Sequence, residues 1–192
     1  MNARFGSHAL FHALPVQSTL EDIVAAKSSL SQLGGIVRAA QGREAEAGGG
    51  KSPRGPNAGV VALFHGPSGP DKLLAAEAIA GTLRVPLHRV DLGSGVGKYL
   101  AETEKNLAAV FDDAECHHAV LYFDEADALF GKRTEVKDAN DRYANVEVSY
   151  LLRKMDAYEG VVILATSGEW PIDEALLRRS KFTVAFPLPQ AG

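Results

Sequence analysis

Two adjacent carboxylates follow an apolar run in the segment AVLYFDEAD, residues 119–127. The apolar residues have the composition of a buried β-strand, and Asp124 and Glu125 would be costly at its end without a cation or hydrogen bonds. A carboxylate there can hold Mg²⁺ through its water shell, while its neighbour orients and deprotonates an attacking water. The pair is therefore typical of a Walker B element, and the alternative is the acidic start of a surface helix.

A second segment keeps the frame of the phosphate-binding loop GxxxxGK[ST], because a glycine and a lysine stand at the required spacing. A working loop needs glycine before the lysine, so that backbone amides approach the phosphates, and a hydroxyl after it to ligate magnesium. Those two places hold Asp71 and Leu73, and Pro70 removes a further amide donor. The alternative is an ordinary turn before an alanine-rich helix. The candidate nucleotide-binding residues are Gly66, Pro67, Ser68, Gly69, Pro70, Asp71, Lys72 and Leu73.

Asp71 stands where the loop would receive an anion. An aspartate at a helix N-terminus is ordinarily favourable, but here it competes with phosphate for the free amides and the helix dipole. One like-charge contact at about 4 Å costs about 4 kcal/mol at an effective dielectric of 20. That energy corresponds to a loss on the order of a thousandfold in affinity. The sequence therefore predicts weak nucleotide binding.

Short apolar runs alternate with helical stretches after residue 58, which predicts a parallel sheet with helices on both faces. Before them, apolar residues from Leu20 to Val37 recur at near-helical spacing, and residues 41–58 are rich in glycine and polar residues. We expect an N-terminal helical extension over 1–40, a flexible linker over 41–58 and a core domain over 59–192. The expected strands are GVVALFH at 59, LHRVD at 87, AVLYFD at 119, VVILA at 161 and FTVAF at 182.

Composition limits the functions that this chain can have. Its 192 residues are 46% hydrophobic, enough for one sizeable core, and a net charge of -4 with acids and bases interspersed argues against nucleic-acid or membrane binding. The single Cys116 cannot form an internal disulfide, and no signal peptide is evident, so a cytoplasmic protein is expected. Residues 116–118, Cys-His-His, lack a second cluster at ligand spacing and are interpreted as surface residues instead of a zinc site.

Three segments resemble the AAA clade of AAA+ ATPases: DEADALFGKR, VGKYLAETEKNLAAVFDDAE and DRYANVEVSYLLRKMDAYEGVVILATS. The likeness runs from about Thr19 to Pro189, and within the clade it is most similar to AAA ATPases encoded with bacterial contractile injection systems. It implies a three-layer αβα P-loop core with a five-stranded parallel sheet of order 5-1-4-3-2. It also implies a homo- or hetero-oligomeric ring that acts on a polypeptide, with ATP and Mg²⁺ between subunits. Because the chain ends at PLPQAG after the fifth strand, the helical lid is expected to be absent.

The resemblance also assigns roles to single residues. Lys72 matches the P-loop lysine, Asp124 the magnesium-holding residue and Glu125 the catalytic glutamate. Ser167 falls where the family has a sensor asparagine and is shorter, and Arg178 matches the first arginine finger. A lysine, Lys181, replaces the second finger and lacks the bidentate fork of arginine. The alternative for Arg178 is a basic helix end that faces solvent.

Residues Lys98, Tyr99 and Leu100 align with the first pore loop of the family, where Tyr99 would grip a translocating polypeptide. The alternative is a half-buried tyrosine at a helix start. Taken together, the residues predict a domain of a protein-remodelling ring whose ATP hydrolysis is impaired by the altered loop. The competing hypothesis is a non-catalytic scaffold or regulatory subunit of a contractile-injection-type assembly.

Overall fold

The computed structural model describes residues 11–16, 18–22, 27–47, 59–67, 69–91, 100–127, 139–167 and 174–186. Three predicted site residues, Ser68, Lys98 and Tyr99, lie outside this part of the chain, as do linker residues 48–58. Leu100 is described only as the first residue of a helix.

A mixed six-stranded sheet forms the middle layer of the described structure, in the order β1-β3-β4-β5-β2-β6. Strand β1 is antiparallel to β3, and the other neighbouring strands are parallel. The five predicted strands are present, but the predicted sheet is wrong in its strand count and order, because residues 11–14, FHAL, add an antiparallel strand at the β3 edge. With β1 set aside, the strands lie in the order β6-β2-β5-β4-β3. The strands are β1 Phe11–Leu14, β2 Val60–His65, β3 Leu87–Asp91, β4 Val120–Asp124, β5 Val161–Thr166 and β6 Phe182–Ala185.

Helices cover both faces of the sheet, as the alternating pattern predicted. The first helix runs on through residues 41–47, which the sequence suggested were linker, because their Ala and Glu content supports a helix where glycine was expected to break it. A short 3₁₀ helix, Leu20–Asp22, precedes it. The α-helices are α1 Lys27–Ala47, α2 Asp71–Leu83, α3 Leu100–His117, α4 Ala139–Ala157 and α5 Glu174–Arg179.

Two apolar clusters fill the layers above and below the sheet. On one face, buried side chains of α1 and α2, such as Ile36 and Ile79, pack on strand residues that include Phe64 and Tyr122. On the other face, α3 and α4 pack on the alternate strand residues, with Phe111 among those buried. Strands β2, β4 and β5 are almost wholly buried, which explains why their sequences are apolar runs without alternation.

Parallel strands bring their carboxyl ends to one edge of the sheet, where ligands of α/β proteins usually bind. That edge joins the loop after β2, the carboxylates after β4 and Ser167 after β5. Among the helices that the structure describes, none is long and apolar enough to cross a bilayer.

Candidate functional site

The loop after β2 begins with Gly66, whose φ of +143° is a conformation that other residues rarely adopt. A Cβ at this position would lie 2.1 Å from the carbonyl oxygen of Phe186. The amide of Phe186 donates to the oxygen of His65 at 2.8 Å, which holds the end of β6 against the loop. Gly66 is therefore required by close packing of the backbone, whatever the loop binds.

Lys72 is 5% exposed and directs its ammonium into its own loop. Its Nζ donates to the carbonyl oxygens of Gly66 at 2.7 Å and Pro67 at 2.6 Å. Burial lowers the pKa of Lys72, and the nearby carboxylates of Asp124 and Asp127 oppose that shift. The lysine thus lies in the cradle of the predicted phosphate loop, with two of its three donors on backbone oxygens.

The two unusual loop residues point to different surroundings. Asp71 is the first residue of α2 and is exposed, while Pro70 precedes it without a side-chain cap for the helix. Leu73, in the first turn of the helix, is partly buried and packs against the apolar cluster between α1, α2 and the sheet. The position where the motif has a hydroxyl is therefore occupied by an apolar side chain that packs against the core.

Asp124, at the end of β4, has partners on both carboxylate oxygens. Oδ2 accepts a hydrogen bond from Nη2 of Arg89 at 2.7 Å, the length of a charge-assisted bond. Oδ1 accepts from the amide of Glu125 at 3.1 Å and from the Tyr122 hydroxyl at 3.4 Å. Burial raises the pKa of Tyr122, so its hydroxyl remains a donor across the physiological range.

Sequence reasoning missed Arg89, although LHRVD offered a signal. A charged residue between two buried neighbours of a strand needs a partner, and a side chain of the adjacent strand can supply it. The register pairs Arg89 with Tyr122 and Asp91 with Asp124, so all four side chains share one face of the sheet. Arg89 reaches Asp124 along the diagonal of that lattice.

Glu125 has a φ of +51°, in the left-handed region. Among the non-glycine residues that the structure describes, only Arg84 and His118 share this feature. Such backbone costs on the order of 1–3 kcal/mol and is frequent at functional sites. The turn leaves Glu125 exposed beyond the end of β4, at the edge where the loop after β2 also lies.

Ser167, at the predicted sensor position, is bound to the carboxylate of Asp127. Oδ2 of Asp127 accepts from the Ser167 amide at 2.6 Å and from its hydroxyl at 2.7 Å. The amide of Ala126 also donates to the carbonyl oxygen of Ala165 at 2.9 Å. The turn after β4 is therefore tied to the end of β5, and sequence reasoning had assigned Asp127 no role.

The three basic residues near the end of α5 lie in different environments. Arg178 is 79% exposed and pairs only along its own helix, with Glu174 at 3.0 Å. Arg179 is largely buried and holds the Asp156 carboxylate through two bonds of 2.8 and 2.9 Å. Lys181 donates to the carbonyl oxygen of Gly59 at 3.2 Å. Arg178 and Lys181 are both exposed, but Lys181 is bonded to the backbone of a distant residue, whereas Arg178 bonds within its own helix.

The structure gives no support to a metal site around Cys116. The residue is exposed, and the neighbouring His117 places its ring nitrogen 2.9 Å from the carbonyl oxygen of Asp113. Within the ranges that the structure covers, no three His, Cys, Asp or Glu side chains are grouped as a metal ion would require.

The sequence of most of this chain matches a known protein family. The family described as "ATPase family associated with various cellular activities (AAA)" matches residues 62–190. This chain belongs to the AAA family, which implies ATP binding, typically with Mg²⁺.

Individual relatives agree with that assignment. The chain is 40% identical to the ATPase family gene 2 protein of Schizosaccharomyces pombe over 118 residues, which are 60% of this chain and 15% of that protein. It is 32% identical to the 26S proteasome regulatory subunit 10B of Dictyostelium discoideum over 150 residues, 74% of this chain and 37% of the relative. The chain thus spans well under two thirds of the length of either relative.

A solved structure shares the fold. The FIGL-1 AAA domain in complex with ADP superimposes with a TM-score of 0.69 at 20% identity, over 95% of this chain and 59% of that one.

Proposed function

We propose that this chain is the ATP-binding domain of a protein-remodelling ring and that its own ATP hydrolysis is impaired. The observation that carries the proposal is the pair of residues flanking Lys72. Asp71 puts a carboxylate at the N-terminus of α2, and Leu73 packs into the core.

Asp71 weakens the attraction between the loop and phosphate. The N-terminus of a helix following a glycine-containing loop attracts anions through its free amides and its dipole. A carboxylate on the first residue of α2 takes up part of that attraction and repels the charges of ATP. Since Asp71 is exposed, water reduces the repulsion below the value for a buried pair. We infer a weakened site that retains some affinity.

Leu73 removes a ligand from the magnesium site. The Ser or Thr hydroxyl that follows the P-loop lysine normally coordinates the metal ion. A leucine has no side-chain oxygen to offer, and Leu73 packs against the core between α1, α2 and the sheet. The side chains here do not fit a standard magnesium site.

The lysine itself must change partners before it can hold a phosphate. Its Nζ bonds to the oxygens of Gly66 and Pro67 would have to be exchanged for phosphate oxygens. Its pKa is lowered by burial but opposed by nearby carboxylates, and the ammonium form is the one suited to bind an anion. Lys72 and the amides of the loop are the residues that would hold the phosphates.

Glu125 is exposed and directly follows β4, a location that supports the proposed role of catalytic base. If the site hydrolyses ATP at all, this carboxylate orients the attacking water, and Ser167 has little freedom to assist because Asp127 holds its hydroxyl. Tyr99, with Lys98 and Leu100, would contact the polypeptide in the pore; that assignment rests on sequence resemblance.

A second function is favoured by the exposure of Arg178. A domain with an impaired site of its own can still offer an arginine to a neighbour, where it would neutralise the charge of transferring phosphate. Arg178 extends into solvent while Arg179 is held by Asp156, so the first is available for a contact in trans. This is the expected arrangement for a scaffold or regulatory subunit, as in a contractile-injection-type assembly.

ATP turnover tests the proposal. The wild-type chain, Glu125→Gln, the double variant Asp71→Gly with Leu73→Thr, and the triple variant combining them would be assayed at saturating ATP and Mg²⁺. We expect the wild type and Glu125→Gln to be indistinguishable, and the double variant to gain turnover that the triple variant loses. Wild-type turnover as fast as that of the double variant, and lost on Glu125→Gln, would overturn the proposal.

The trans contact has a separate test. Sedimentation velocity over a concentration series would compare the wild type with Arg178→Ala and with Arg153→Ala, a matched change at an exposed arginine of α4. We expect Arg178→Ala alone to weaken self-association when ATP is present. Equal behaviour of the three proteins would count against a role for Arg178 between subunits.

A further inference from the structure

We propose that Arg89 takes the place of Mg²⁺ at Asp124, so that this domain binds nucleotide phosphates without a metal ion. The inference deepens the proposed function, since it concerns the same site, and it rests on that function in taking the ligand to be a nucleotide.

The contact between the two side chains has the geometry of a strong ion pair. Nη2 of Arg89 lies 2.7 Å from Oδ2 of Asp124, and the side chains are 40% and 22% exposed. The sheet fixes this pair, because Arg89 and Asp124 lie diagonally opposite each other on adjacent parallel strands, with both side chains on the same face. An arginine remains charged at every accessible pH, so the pair does not depend on protonation.

The remaining oxygen of Asp124 is also engaged. It accepts from the amide of Glu125 and from the hydroxyl of Tyr122, a side chain that is 1% exposed. A magnesium ion and its water shell would have to displace Arg89 or compete with these donors. The ion favours an octahedral set of oxygens and gives up its water reluctantly, which makes such a displacement costly.

Electrostatics opposes the metal as well. A divalent cation beside Asp124 would lie close to the guanidinium of Arg89 and would be repelled by it. It would also be repelled by the ammonium of Lys72, which is near enough to Asp124 for the two charges to interact. The second protein ligand of the metal is missing, since Leu73 has no side-chain oxygen and packs against the core. Both protein contacts that usually hold magnesium beside the phosphates are thus altered in one site.

The cation supplied by the protein can perform part of the work of the absent metal. Arg89, on β3, is paired with Asp124, and Lys72, on α2, is near enough to feel the charges of Asp124, Asp127 and Asp71. Guanidinium donors suit phosphate oxygens, and Nε of Arg89 is a buried donor without a hydrogen-bond partner among the described residues. Such a site neutralises phosphate and lacks the metal that phosphoryl transfer uses, which favours binding over hydrolysis.

The test is equilibrium binding of methylanthraniloyl-ATP in Mg²⁺ and in EDTA. It would use the wild-type chain and a loop-restored chain, Asp71→Gly with Leu73→Thr, each with Arg89 intact, with Arg89→Met and with Arg89→Lys. Arg153→Met is the matched control at an exposed arginine, and thermal melting confirms that each variant is folded.

In the chains that keep Asp71 and Leu73, with arginine or lysine at position 89, we expect the Kd in EDTA to equal that in Mg²⁺ within about twofold. In the loop-restored chain that keeps Arg89, the hydroxyl introduced by Leu73→Thr supplies one magnesium ligand, and magnesium should tighten binding less than it does with Arg89→Met. In the loop-restored chain with Arg89→Met, we expect magnesium to tighten binding at least about tenfold, as Asp124 becomes available to the ion. Arg153→Met should behave as its parent.

Magnesium dependence of the wild-type chain would overturn the proposal, and so would its absence from the loop-restored Arg89→Met chain. Failure of every variant to bind the nucleotide in either condition would overturn it too, since it assigns a metal-free nucleotide site. The proposed function fails on a different result, wild-type turnover as fast as that of the loop-restored chain and lost on Glu125→Gln. Slow wild-type turnover combined with magnesium-dependent binding would remove only the role of Arg89.

Discussion

Arg178 and Arg179 are adjacent, yet their replacement by alanine should have very different effects on stability. Arg179→Ala removes two hydrogen bonds to the Asp156 carboxylate and a third, at 3.0 Å, to the carbonyl oxygen of Ala175. It leaves Asp156, which is 25% exposed, without its arginine partner. Arg178→Ala removes a single bond between two side chains that are 79% and 83% exposed.

The magnitudes follow from burial. Hydrogen bonds to charged groups contribute about 1.5–3 kcal/mol, and partial exposure places the loss for Arg179→Ala near about 2 kcal/mol. In a domain of this size, that corresponds to a fall in Tm of about 4–8 °C. An exposed pair one helical turn apart contributes about 0.3–0.5 kcal/mol, so Arg178→Ala should lower Tm by no more than about 2 °C.

Thermal and urea unfolding followed by circular dichroism would measure both variants beside the wild type. Arg179→Lys serves as a control that keeps the charge but loses the bidentate geometry, and it should fall between the wild type and Arg179→Ala. Equal shifts for the two alanine variants, or a larger one for Arg178→Ala, would refute the division between a structural Arg179 and an exposed Arg178.

Two further predictions concern buried polar groups. Tyr158→Phe should lower the free energy of unfolding by about 1–2 kcal/mol, because the hydroxyl of this 2% exposed residue donates to the carbonyl oxygen of Ala119. Urea titrations would measure this loss beside Tyr150→Phe, a control at a partly buried tyrosine. Equal losses in the two variants would contradict the reasoning. Burial lowers the pKa of His88 from its usual 6.5, opposed by Asp113. The unfolded chain therefore takes up the proton first, and stability should fall as pH drops below 6.5. Urea unfolding between pH 7.5 and 5 should show a smaller loss of stability for His88→Gln than for the wild type. An equal dependence of stability on pH in the two proteins would argue against His88 as its cause.

The fold was largely accessible from the sequence because buried parallel strands leave an unusual signature. A strand such as VVILA at 161 is apolar on both faces, so both faces must be covered by other elements. The alternation of such strands with helical stretches therefore predicted the α/β layers. Strand β1 could not be found in this way, since its four residues are too short for a pattern and its pairing depends on the free edge of β3. The family was also identified from the sequence, and the match over residues 62–190 confirms it.

Parts of the site depend on contacts that the linear sequence does not display. Asp124 and Glu125 stood out because carboxylates directly follow an apolar strand. The role of Arg89 depends on the register of β3 against β4, and that of Asp127 on the approach of the turn after β4 to the end of β5. Residues 89 and 124 are 35 positions apart, and sequence periodicity carries no information about such a pair. The assigned catalytic roles remain predictions.

The most direct test of the account is the affinity for ATP of the wild-type chain and of the single variant Asp71→Gly, measured by isothermal titration calorimetry at 50 and 300 mM salt. Since Asp71 is exposed, we expect Asp71→Gly to gain less affinity than the thousandfold estimated above for an effective dielectric of 20. At low salt, the variant should still bind ATP at least about tenfold more tightly than the wild type, and the difference should shrink at high salt. Equal affinities of the two proteins at both salt concentrations would contradict the claim that this carboxylate impairs the phosphate loop.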